Sequence, residues 1–110
     1  MYQEQRSTFI DQLESQLKPH GFWVTERLEF WLFNIRMLFV PGAYTETVST
    51  CSEYIDDILK DETNLSSALA ARVQDFAAMA KRVGGSAATP EQAAEAVTCL
   101  MHVVFCRNGC

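Results

Sequence analysis

A chain of 110 residues, 48% of them hydrophobic, carries enough apolar material for one compact domain, expected to span 1–110, and is too short for two. Its formal charge of −5, from 14 acidic and 9 basic side chains, argues against direct nucleic-acid binding: phosphate contacts need clustered Lys and Arg, and the longest basic run is Lys81-Arg82. No apolar stretch reaches the roughly 18–20 residues of a membrane span, since Arg36, His102 and Arg107 interrupt the longest ones. The opening MYQEQRSTF lacks an apolar segment behind a basic patch, so a cytoplasmic protein is expected, in which four cysteines default to free thiols or ligands.

Breaks at Lys18-Pro19-His20-Gly21, Pro41-Gly42, Glu62-Thr63-Asn64 and Gly84-Gly85-Ser86 leave five stretches of helical length. In the first, Phe9, Leu13 and Leu17 recur every four residues with Ile10 beside them, which predicts a short amphipathic helix with few apolar anchors. The third places Tyr44, Val48, Cys51, Ile55, Ile58 and Leu59 on one stripe opposite Glu53, Asp56, Asp57 and Lys60. The fourth repeats that logic with Leu65, Leu69, Val73, Phe76, Ala80 and Val83, and Gly84 is placed to supply a left-handed stop. Thr89-Pro90-Glu91-Gln92 opens the fifth with a threonine cap, a proline at the first helical position and a glutamine that closes a capping box. No strand-period segment competes, so the expected fold is all-α, a compact bundle of four to five antiparallel helices.

The second stretch, from about Trp23 to Val40, breaks the one-stripe rule. Val24, Leu28, Trp31, Leu32, Ile35, Leu38 and Phe39 form a core face, and Phe30, Phe33, Met37 and Val40 form another on nearly the opposite side. Either this is the central helix, or the second face is covered by another chain, a second copy or a partner. The fifth helix poses a similar question. Its core arc is Ala93, Val97, Leu100, Met101 and Val104, while Cys99, His102 and Cys106, with Val103 at the edge, share the side that also carries Glu91, Gln92, Glu95 and Thr98. Soft residues in place of charges there predict a protein interface, or an edge lightly buried under the first helix.

Catalytic and metal-binding chemistry finds little support. Cys99 and Cys106 are two turns apart, roughly 10.5 Å along the axis, so one zinc cannot take both thiolates and no disulfide can join them within a helix. His20 and His102 have no evident catalytic partner in the sequence. The cluster Glu53, Asp56, Asp57, Asp61 and Glu62 lacks the central glycine and alternating ligands of an EF-hand loop. The reading is therefore a non-enzymatic binding protein with no cofactor. Two alternatives stand beside it: a thiol- or metal-responsive sensor using Cys51, Cys99, His102 and Cys106, and an immunity-type inhibitor.

The run EFWLFNIRMLFVPG and the ending CLMHVVFCRNGC, with the overall length, resemble the small bacterial quorum-sensing antiactivators. What the resemblance implies is a homodimer that binds the ligand-binding domain of a LuxR-type receptor and occupies the surface through which receptor subunits pair, so that promoter binding fails. It assigns no contact residues. The interface expected from the helical pattern alone is Phe30, Phe33, Met37 and Val40, then Cys99, His102, Val103 and Cys106, with Phe9, Ile10 and Leu13 of the first helix as a further surface.

Overall fold

A computed structural model describes residues 3–17, 26–60 and 65–107, the side chains of 16–17, 26–29, 31 and 105–107 excepted. It contains α1 (Gln3–Leu17), α2 (Glu26–Phe39), α3 (Tyr44–Leu59), α4 (Ser67–Val83) and α5 (Pro90–Arg107), and among the described residues no strand. The radius of gyration, 13.2 Å, is that of a close-packed bundle of this size. The all-α expectation holds, with five helices.

The caps show why the helices start and stop where they do. Thr89 Oγ1 accepts from the Gln92 amide at 3.1 Å while Gln92 Oε1 accepts from the Thr89 amide at 2.9 Å, the reciprocal box expected from the sequence. Ser66 Oγ accepts from the Leu69 amide at 3.1 Å and caps α4 in the same way. The left-handed stop, however, is at Gly42 and not at Gly84. Gly42 has φ of 94°, and the amides of Gly42 and Ala43 return to the carbonyls of Phe39 and Leu38, which is a Schellman closure of α2. Gly84 keeps a right-handed φ of −53° and donates to the Ala80 carbonyl, so α4 simply tightens into a turn.

The expected stripes of α3 and α4 meet in the core. Val48, Cys51, Ile55 and Ile58 of α3 are buried, as are Leu69, Phe76 and Val83 of α4, joined by Met79. Leu32, Ile35 and Phe39 of α2 are buried as expected, whereas Val24 lies outside the described residues, as do the side chains of Leu28 and Trp31. The central helix is α5, which packs on all four others and most extensively on α3.

Arg6 is the anchor of α1 that the apolar pattern does not reveal. Its side chain is buried, donates from Nε to the Val40 carbonyl at 2.8 Å and from Nη1 to the Tyr44 hydroxyl at 2.8 Å, and lies 5.5 Å from the Tyr44 ring centroid. One guanidinium thus ties α1 to the α2–α3 turn. Phe9 adds a tilted ring contact with Phe39 at 5.6 Å. Arg6→Ala removes two charge-assisted hydrogen bonds and strands two acceptors, so a loss of about 2–4 kcal/mol is expected from urea unfolding. Arg6→Lys should recover only part of it, because an ammonium cannot reproduce the planar fork.

Candidate functional site

Among the described residues the exposed large hydrophobic side chains are Phe30, Phe33 and Met37, at 61%, 61% and 57% accessibility. All three project from one face of α2. The sequence left open whether that face lies inside the bundle; α5 takes the central position, and these three side chains face solvent. Val40, expected to continue the face, is instead half-buried against the core, and its carbonyl receives Arg6.

The borders of the patch are fixed. Toward α1, Arg36 Nη2 pairs with Asp11 at 2.5 Å and Glu14 at 3.3 Å. The Arg36 pKa is raised, the two carboxylates overcoming the opposing effect of partial burial. Toward α3, Asn34 Nδ2 donates to the Tyr54 hydroxyl at 3.1 Å. Arg36 and Asn34, on the two sides of the patch, are thus engaged within the chain.

The second expected surface is buried at Cys99 and Val103. Cys99 and Val103 are each 1% exposed and belong to the core. Wound on the wheel, the exposed arc of α5 comes down to Glu91, Glu95 and His102 with half-buried Thr98, only about 60° wide. Cys99 and Val103 lie beyond that arc, on the buried part of the helix, so at these two positions the soft residues reflect an enclosed helix and not an outer interface. His102 is the exposed member of that set. Cys106 lies on the last turn of α5, and its side chain is outside the described part of the structure, as is Cys110. The first-helix surface also needs correction. Ile10 is fully buried, and Phe9 and Leu13 are half-buried against the core.

Burial disarms the thiols of the core. It pushes the Cys51 thiol far above its ordinary pKa, with a further push from Cys99, and takes Cys99 up to about 11 despite the opposing effect of Arg72. Thiolate is the reactive and metal-binding form, so neither residue is poised as a sensor at neutral pH. Among the described residues no group of three or more His, Cys, Asp or Glu side chains is placed to hold a metal ion. Of the acidic cluster, Glu53 and Asp56 are exposed and Asp57 is half-buried, while Asp61 and Glu62 lie outside the described residues. A groove of about 360 Å3 between α3 and α4 carries Ser52, Asp56 and Lys81, but no histidine or cysteine lines it. Among the described residues no helix is long and apolar enough to cross a membrane.

His102 Nδ1 lies 2.6 Å from Arg72 Nη1, an arrangement in which the neutral imidazole accepts from the guanidinium and links α5 to α4. Partial burial and the Arg72 charge lower the His102 pKa below 6.5. The folded state therefore prefers the neutral ring. Its contribution is fully present above pH 6.5 and is lost as pH falls through the lowered value. The pH-dependent difference in unfolding free energy between wild type and His102→Ala should be small, about 0.2–1 kcal/mol for so exposed a pair, and should vanish in the acid limb. Urea titrations between pH 5 and 7.5 check it.

No family profile, no curated protein and no solved structure matches this chain.

Proposed function

We propose that the chain is a protein-binding antiactivator, using the Phe30, Phe33 and Met37 face of α2 to dock on the ligand-binding domain of a LuxR-type receptor and cover the surface by which receptor subunits pair. The observation that carries this reading is the row of three large, solvent-exposed apolar side chains on one helix. Apolar patches of this kind are often functional contact surfaces. The receptor class comes from the sequence resemblance. Covering the pairing surface removes the symmetric dimer that a two-half-site operator requires, so DNA affinity falls although the DNA-reading module is untouched.

The same face is the remaining expected seam for a homodimer, because Cys99 and Val103 are buried. Phe30, Phe33 and Met37 alone do not make up the about 1,200 Å2 that a stable pair buries, so a homodimer through α2 would also draw on their neighbours. Self-association through α2 would compete with the receptor for the same face. The test is the mass of the complex formed with purified receptor ligand-binding domain. A single receptor subunit per complex is expected; two receptor subunits still paired in the complex would overturn the mechanism.

A sensor reading would place the activity in the thiols instead. Replacing all four cysteines with serine or alanine should leave receptor binding intact, with some loss of stability from the two core sites.

A further inference from the structure

The α2 face also constrains the kind of element that covers it, an inference that rests on the docking role proposed above. Phe30, Phe33 and Met37 lie within about 60° of one another on the helix and follow a three-then-four residue spacing, the a-d-a pattern of a coiled-coil seam. The stripe is narrow. Arg36, held by Asp11 and Glu14, bounds one side, and Asn34, held by Tyr54, bounds the other. A flat partner surface would press on and desolvate both polar borders, whereas a single helix reaches the stripe between them. The two borders also differ in charge. One guanidinium between two carboxylates leaves a surplus negative charge on the α1 side, where the Asp11 side chain is 62% exposed. On the other side the described pair Asn34 and Tyr54 carries no charge.

We propose that the occupant is a single amphipathic helix of another protein, laid along α2 at a shallow crossing of about 20°, with aliphatic residues in the same three-four spacing and a lysine or arginine on the edge that faces Asp11 and Glu14. A second copy of this chain fits less well. Antiparallel self-pairing sets the surplus-negative border against itself.

Three fluorescent 18-residue helical peptides test the assignment against the full chain. One carries leucine at the seam positions and lysines along one edge, one replaces those lysines with glutamates, and one scrambles the first. Binding is followed by anisotropy and mapped by amide NMR. The lysine peptide is expected to bind about two- to fivefold more tightly than the glutamate peptide at low salt, with the gap closing at 0.5 M salt. Shifts should centre on residues 30–37, the scrambled peptide should not bind, and Phe33→Asp should abolish the interaction. Equal binding of all three peptides, no charge preference, shifts outside α2, or exclusion of the peptides by a self-associated chain would each overturn the proposal. Failure here with receptor binding that is still lost in Phe33→Asp refutes the helix and leaves the docking role standing. Peptide binding without receptor binding does the reverse.

Discussion

Phe33→Asp should abolish receptor binding while leaving the fold intact. Phe33 is the middle member of the exposed row, flanked by Phe30 and Met37, and such central aromatic anchors carry a disproportionate share of binding energy. Replacing the ring removes its apolar burial in the complex and places a carboxylate where a dry contact must form. The two effects together should cost more than about 3 kcal/mol, a loss of at least a hundredfold in affinity. In the free protein the change is at a solvent-facing position, so stability should shift by no more than about 0.5 kcal/mol. Circular dichroism and urea unfolding establish the second half, and isothermal titration against the receptor domain the first. Phe30→Asp should behave similarly. By contrast Glu53→Lys, on the exposed side of α3, should bind as wild type. Salt provides a further discriminant. A contact dominated by the apolar row should weaken only modestly between low and moderate ionic strength, unlike phosphate binding, which falls by orders of magnitude. Retained affinity in a folded Phe33→Asp protein would remove α2 from the site.

The sequence is most legible where a helix has two clearly different sides. In α3 the apolar stripe of Val48, Cys51, Ile55 and Ile58 stands opposite Glu53 and Asp56, and burial follows the wheel. Thr89 and Gln92 are equally direct, because the capping box is a local exchange of hydrogen bonds that needs no tertiary context. Alpha-helix α5 is harder to read since it is enclosed over most of its circumference. An enclosed helix and a helix awaiting a partner both lack charges, and cysteine and valine at positions 99 and 103 suit either. Choosing between them required knowing which helix is central, and the dense aromatics of α2 pointed there, although small Ala93 and Ala96 let neighbours approach α5 closely. Arg6 illustrates a different limit. An arginine in a polar first helix looks solvated until Val40 and Tyr44, more than thirty residues away in sequence, are folded against it. Gly84 followed by Gly85 looks like the natural helix stop, but among the described residues only Gly42 takes a positive φ. The exposed face of α2 was present in the pattern as Phe30, Phe33 and Met37, and its exposure followed once α5 filled the interior.

Val103→Asp should unfold the protein, in contrast to Phe33→Asp. Both substitutions put a carboxylate on a helix, and on the wheel alone both sit beside polar positions. Val103, however, is 1% exposed on α5, the helix that packs against all four others. The substitution gives up about 1.5–3 kcal/mol of apolar burial and asks a charge, or a protonated carboxyl lacking a designed partner, to occupy a close-packed interior. The combined cost exceeds about 4 kcal/mol, comparable with the roughly 5–15 kcal/mol that holds a domain of this size together. Val103→Ala supplies the control: it creates a small cavity without a polar group, so it should lower the urea midpoint yet preserve a single cooperative transition. The decisive observations are the thermal unfolding transition followed by circular dichroism and the sedimentation profile. Val103→Asp should lose the cooperative transition, aggregate or populate an expanded state, and fail to bind the receptor for want of a fold. A Val103→Asp protein with wild-type helicity, an unchanged midpoint and only an altered association state would mean that the α5 stripe faces outward after all, returning the interface to Cys99, His102 and Val103 and taking the docking role away from α2.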